Sequence, residues 1–214
     1  MTRTEGRRAA CALVAAVFLF TSLPQASFGD IIFDNFNGAF DATPLTGFAV
    51  MGPDTPLPFD HALAFSVPSS SIGGFYLSSI TVPMAFRSIF DRTPTLNVAV
   101  HEDDGGSPGV ALQLSAVTMA TTDFEVIVVD FPGTLFLSEN TTYWVALTGI
   151  ARSHYLWAEV DPPLDTGTHV FRMGSGSPWE SAPGDPACRV DGSLNPVPVQ
   201  ASTWGEIKAL FGSE

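Results

Sequence analysis

Leu96-Asn-Val-Ala-Val-His101, its continuation Glu102-Asp-Asp-Gly-Gly-Ser-Pro-Gly109, and Leu137-Ser-Glu-Asn-Thr-Thr-Tyr-Trp-Val-Ala-Leu147 decide the fold class. Leu96, Val98 and Val100 alternate with Asn97, Ala99 and His101, the period of two that a half-buried strand requires. Gly105, Gly106, Pro108 and Gly109 then supply turn chemistry, glycines for positive φ and proline for a fixed one. Tyr143, Val145 and Leu147 repeat the alternation and send Trp144 to the opposite face.

The same pattern recurs outward along the chain. Strands are expected at Ile31–Phe36, Phe48–Met51, His61–Val67, Phe75–Phe86, Leu96–His101, Leu112–Met119, Phe124–Asp130, Thr142–Leu147, Tyr155–Val160, His169–Arg172 and Ala187–Val190. Short strands separated by Gly and Pro turns predict an all-β fold, an antiparallel, jelly-roll-like β-sandwich. Leu63, Phe65 and Val67 should share one face, and Ile80, Val82, Met84 and Phe86 another. Pro83 predicts an edge or bulged strand. Phe124–Val129 is apolar on both faces, the pattern of a central or loop-covered strand.

The order of these pieces carries a resemblance. A strand ending in an acid, the Gly-Gly-x-Pro-Gly turn at Gly105–Gly109, and Tyr143-Trp-Val-Ala-Leu147 resemble the choice-of-anchor β domains, type R, of exported bacterial surface proteins. Ala62-Leu-Ala-Phe65 resembles the "QAF" segment of that family, and Trp157 with Pro186-Ala-Cys-Arg-Val-Asp-Gly192 its closing strands. The resemblance spans Asp30 to Ser193 and implies a surface protein without catalytic machinery.

The N-terminus agrees with export. Arg3, Arg7 and Arg8 precede an apolar run from Ala9 to Phe20, and Ser27-Phe28-Gly29 offers a small-x-small exit. Residues 1–29 are therefore read as a signal peptide. The apolar run is shorter than the about 20 residues a membrane span needs. No transmembrane helix is expected after cleavage. The remainder is long enough for one sandwich domain, at residues 30–193. The signal holds three arginines and one glutamate, so the mature chain is two charges more acidic than the −13 of the whole. Such acidity, with only six scattered cations left, argues against nucleic acid. Cys188 is the one cysteine beyond the signal, so no intramolecular disulfide is possible there, and its Ala-Cys-Arg-Val setting reads as a buried thiol.

After Gly192 the composition changes. Residues 194–202 read as a Pro-containing linker, and 203–214 as a tail with a short helix carrying Trp204, Ile207, Leu210 and Phe211 on one face. The family resembled above often ends in a Pro-Glu-Pro sorting motif with a membrane helix. Here Pro196-Val-Pro-Val lacks the Glu and no apolar helix follows. The tail is then either a different docking handle for surface-sorting machinery or a segment that packs on the domain.

Candidate chemistry is sparse. His61, His101, His154 and His169 are far apart in sequence, and no Gly-x-Ser-x-Gly elbow is present. No enzyme activity is expected, and a hydrolase with a site invisible in sequence is a distant alternative. Glu102, Asp103 and Asp104 are the best calcium candidates, but their spacing does not match an EF-hand loop and solvated acids of an ordinary turn are the commoner explanation. No other cofactor is indicated. Trp144, Trp157 and Trp179 have two readings: exposed rings that stack on sugars, or rings that fill the core. The primary expectation is an exported structural or adhesive protein of the cell surface or extracellular matrix. The alternative is a carbohydrate-binding module for extracellular polysaccharide.

Overall fold

The computed structural model describes residues 29–36, 47–86, 95–119, 124–160 and 168–196. Within them the chain forms thirteen strands and no helix: β1 Asp30–Asp34, β2 Gly47–Met51, β3 Asp60–Ser66, β4 Gly74–Phe86, β5 Thr95–Asp103, β6 Pro108–Thr118, β7 Phe124–Asp130, β8 Phe136–Ser138, β9 Thr142–Gly149, β10 His154–Ala158, β11 His169–Arg172, β12 Glu180–Ser181 and β13 Arg189–Ser193. All pairings are antiparallel. The signal segment and the tail residues Trp204, Ile207, Leu210 and Phe211 lie outside the described residues.

The strands make two sheets. One follows the order β1-β13-β4-β10-β2, with β7 and β8 on the other side of β4; the second runs β12-β11-β3-β9-β5-β6. Between them lies one apolar core. Leu63, Phe65 and Val67 face it from one sheet, Ile80, Val82, Met84 and Phe86 from the other, as their alternation predicts. Tyr143, Val145, Leu147, Tyr155 and Trp157 complete its centre.

Two expectations are corrected. Pro83 sits inside the first sheet, on the long strand β4, so the edge alternative falls, whereas the bulged one is met by the register shift of β4 against β13 between Leu77 and Ser79. The Phe131 N–H donates to Ser78 O at 2.8 Å, so alternation turns the Pro83 nitrogen to the other side of β4. There β13 makes its last pair at Thr81 and β10 its first at Met84. The missing N–H falls in the gap where the ladder changes partner. Strand β7, in turn, is neither central nor covered. It pairs with β4 alone, and Val126 and Val128 are 48% and 58% exposed on its outer side.

The outer face of the second sheet carries a smaller apolar cluster: Ala62, Ala64, Trp144, Ala146 and Val170, with Trp179 packed against it. At the other end of the chain Asn35 is fully buried. Its amide donates to Pro186 O at 2.9 Å and its Oδ1 accepts from Cys188 N–H at 2.7 Å. The Cys188 thiol beside it has no contact with solvent, and burial raises it above the ordinary thiol range. An inert core thiol is the result.

Candidate functional site

Tryptophan placement decides the sugar-stacking reading first. Trp157 lies at the centre of the main core with 0% exposure, and its indole N–H donates to Ala187 O at 2.7 Å. Trp144 does turn to the face opposite Tyr143, yet it is 1% exposed within the outer apolar cluster. Its indole N–H donates to Asp103 Oδ1 at 2.8 Å. Neither ring offers a face to a sugar, which corrects their assignment as exposed binding residues. The physical reason is ordinary: a large ring next to apolar neighbours is removed from water whichever side of the sheet it occupies. Trp179 is half-buried, with the Arg172 guanidinium 4.5 Å from its ring centroid.

The acidic turn is equally committed. Glu102 pairs with Tyr143 across the ladder, on the face opposite Asp103. The Asp103 carboxylate also accepts from Gly106 N–H, at 3.2 Å to Oδ1 and 3.3 Å to Oδ2. Gly105 and Gly106 need φ of 64° and 92° to complete the turn, angles costly for any residue with a Cβ. Asp103 is therefore committed away from Glu102 and Asp104, which flank Gly109, and among the described residues no three His, Cys, Asp or Glu groups gather as a metal site. The calcium assignment is replaced by a structural one, a turn carboxylate that anchors Trp144. Asp103→Ala should cost about 1 kcal/mol in denaturant unfolding. Addition of calcium should leave the melting temperature of the unsubstituted protein unchanged; a calcium-dependent rise would restore the metal reading.

What the sequence did not reveal is a histidine pair. His61 on β3 and His169 on β11 are 108 residues apart, but the register places His169 opposite Leu63 and Phe171 opposite His61, all on the core face. His61 Nδ1 stands 3.0 Å from His169 Nε2. The outer nitrogens reach backbone carbonyls: His61 Nε2 lies 3.1 Å from Ala49 O on β2, and His169 Nδ1 lies 3.1 Å from Gly184 O. The pair therefore ties β2, an edge of the first sheet, to β3, β11 and the loop before β13. Phe48 meets the His169 ring edge-on at 4.3 Å, and Phe59 and Phe171 flank His61. Asp60, paired with Arg172 at 2.8 Å, and Asp185 are the nearby charges.

Proton counting defines what this cluster can do. Carbonyl oxygens only accept, so both outer contacts need a ring N–H, and the inner contact needs a third. Two neutral imidazoles carry two protons in all. One contact is therefore unfilled in the neutral pair, and one added proton would fill it at the cost of a charge among phenylalanines. Burial decides against the charge. It pushes His61 down to about 3, helped by repulsion from His169, and it lowers His169 against the pull of the Gly184 and Pro183 carbonyls and Asp185. Burial likewise raises Asp60 in spite of Arg172.

A surface concavity lies apart from this pair. It is an open groove of about 430 Å³ on the outer face of the first sheet, lined by Asp34, Phe36, Thr81, Val126, Val128, Arg189 and Asp191. Arg189 is held by Asp191 through bonds of 2.7 and 2.9 Å, so its charge is already matched. No protein-family model matches the chain, and neither a curated protein nor a solved structure does.

Proposed function

We propose that the protein is an exported, non-catalytic β-sandwich with a structural or adhesive role at the cell surface or in extracellular matrix. The observation that carries this reading is the use of its aromatic side chains. Trp144 and Trp157 are buried, with both indole N–H groups bonded inside the domain, so the rings stabilise the fold. The histidine pair is enclosed by phenylalanines and bound to backbone carbonyls, an arrangement that fastens strands. Export rests on the basic, apolar and small-residue order of residues 1–29.

Carbohydrate binding now falls on Trp179 alone, whose ring is shared between Arg172 and the outer apolar cluster. Fractionation of the producing cell with intact-mass measurement tests the main reading. A protein outside the cytoplasm that begins at Asp30 is the expected result; an unprocessed cytosolic chain overturns it. Affinity electrophoresis against the cell's exopolysaccharide addresses the alternative. Unretarded migration is expected, and retardation abolished by Trp179→Ala would instead establish a glycan-binding module.

A further inference from the structure

The edge strand β6 has its alternation inside out. Among the described residues it is bonded on one side only, to β5. Val98 and Val100 of β5 face the core, and opposite them on β6 stand Ser115 and Gln113. The Gln113 Oε1 is buried there with no hydrogen-bond partner. Val117 still packs on the core, but the larger apolar residues leave it: Leu114 lies on the outer face, Leu112 sits at a bulge between Gln113 and Ala111, and Val110, Leu112 and Leu114 are 66%, 39% and 56% exposed. A period-two strand whose larger apolar side chains leave its own core has them facing water or a partner.

The edge is also uncharged, and from Gln113 to Thr118, beyond the two register shifts of its first half, it runs without a bulge. From Pro108 to Thr118 the strand holds no ionisable residue, in a chain of formal charge −13. Natural edges are normally short, charged or interrupted by proline. The other outer strands obey that rule or are occupied. Strands β1, β7 and β12 carry acids, and β8 has three residues. Uncharged β2 gives Ala49 O to His61 and pairs Met51 with Phe59. Among the described residues, only at β6 does a long, charge-free backbone edge adjoin exposed apolar side chains.

We propose that β6 is a self-association edge, on which a second copy of this chain pairs its own β6 antiparallel about a two-fold axis near Leu114. The charge balance favours this occupant. Two acidic copies repel over most of their surface, and β6 is the long edge where they meet without opposing carboxylates. Antiparallel pairing of one strand with itself is self-complementary by symmetry. With Leu114 opposite Leu114 of the second copy, Leu112 falls opposite Ala116, and the outer stripes merge into one apolar band. The regular part of this edge, residues 113–118, is about 20 Å long. The proposal goes beyond the surface role above and does not depend on export: association can fail while localisation stands, and the reverse.

Sedimentation equilibrium of the full chain, with two substitutions at the exposed Leu114, tests it. The unsubstituted protein should form a dimer. Leu114→Lys places two ammonium groups across the axis and should raise the dimer dissociation constant at least about tenfold, with an unchanged thermal melt because the side chain is solvent-facing. Leu114→Cys should give a disulfide-linked dimer on mild oxidation that the unsubstituted protein does not. A chain that stays monomeric at every soluble concentration overturns the proposal. So does a dimer indifferent to Leu114→Lys, or one that Leu114→Cys fails to cross-link.

Discussion

Acidification from pH 7 to pH 5 should strip stability from this domain, by about 2 kcal/mol through His61 and by a further loss of the same sign through His169. Both rings have folded-state affinities for protons below the ordinary histidine value of 6.5, and His61 is pushed down to about 3. Below 6.5 the unfolded chain takes up protons that the folded chain refuses. The stabilising effect of the neutral pair is therefore complete above that value and is lost as pH falls toward the folded-state values. Asp60 acts in the opposite sense. Its carboxyl is raised, so the folded chain binds that proton first and recovers part of the loss at the acid end. Two histidines against one carboxyl leave the net effect destabilising.

A loss of that size is a large fraction of the 5–15 kcal/mol that holds a typical domain together. Urea midpoints measured at intervals between pH 7 and 5 read it directly. A midpoint that does not move would show the pair to be charged or solvated in the folded state. His61→Gln offers a carboxamide N–H toward Ala49 O and cannot titrate, so it should reduce the slope and leave the part that comes from His169. Opening should begin where the pair fastens β2 to β3 and β11, and amide exchange of β2 should rise before that of β4 or β9.

The faces of the strands were legible because a period of two needs only local sequence. Leu63, Phe65 and Val67, like Ile80, Val82, Met84 and Phe86, point where alternation puts them. All eleven expected strands are present, and the two missed ones, β8 and β12, are three and two residues long, too short to show a period. What alternation does not carry is the far side of the sheet. Trp144 was correctly turned away from the main core, but its burial depends on Val170 and Trp179, which reach it only through tertiary pairing. The histidine pair was hidden for the same reason, since the β3–β11 register that joins His61 to His169 is non-local. Pro83 misled only toward an edge, because the rule against proline in a sheet concerns one nitrogen and that nitrogen faces a gap, while the bulge it also suggested is present in β4. The polar–apolar inversion of β6 was written in Leu112, Gln113, Leu114 and Ser115, but only the register with β5 shows which set faces out.

Trp157→Ala should be among the most damaging single substitutions in the chain, costing about 3–5 kcal/mol. The ring has no exposed surface, and it pairs with Phe48 on β2 and Met84 on β4, so it spans the junction of three strands. Truncation opens a cavity between the sheets and also strips Ala187 O of its indole donor. Trp157→Phe separates the two effects. It keeps an aromatic body and loses the 2.7 Å hydrogen bond, which leaves a carbonyl short of a partner at a cost of about 1–3 kcal/mol. The ordering Ala worse than Phe, read from denaturant midpoints, is what a core role requires. If Trp157 instead served a ligand, either substitution would leave the midpoint unchanged and alter only retention on a glycan matrix. Trp179→Ala is the internal comparison. Its half-buried ring and exposed surroundings should bring the loss to about 1 kcal/mol, from the cation–π contact with Arg172 and the shared apolar surface. A loss at Trp179 as large as that at Trp157 would mean that the outer cluster is a second core in its own right, holding β3, β9 and β11 together from the far side of the sheet.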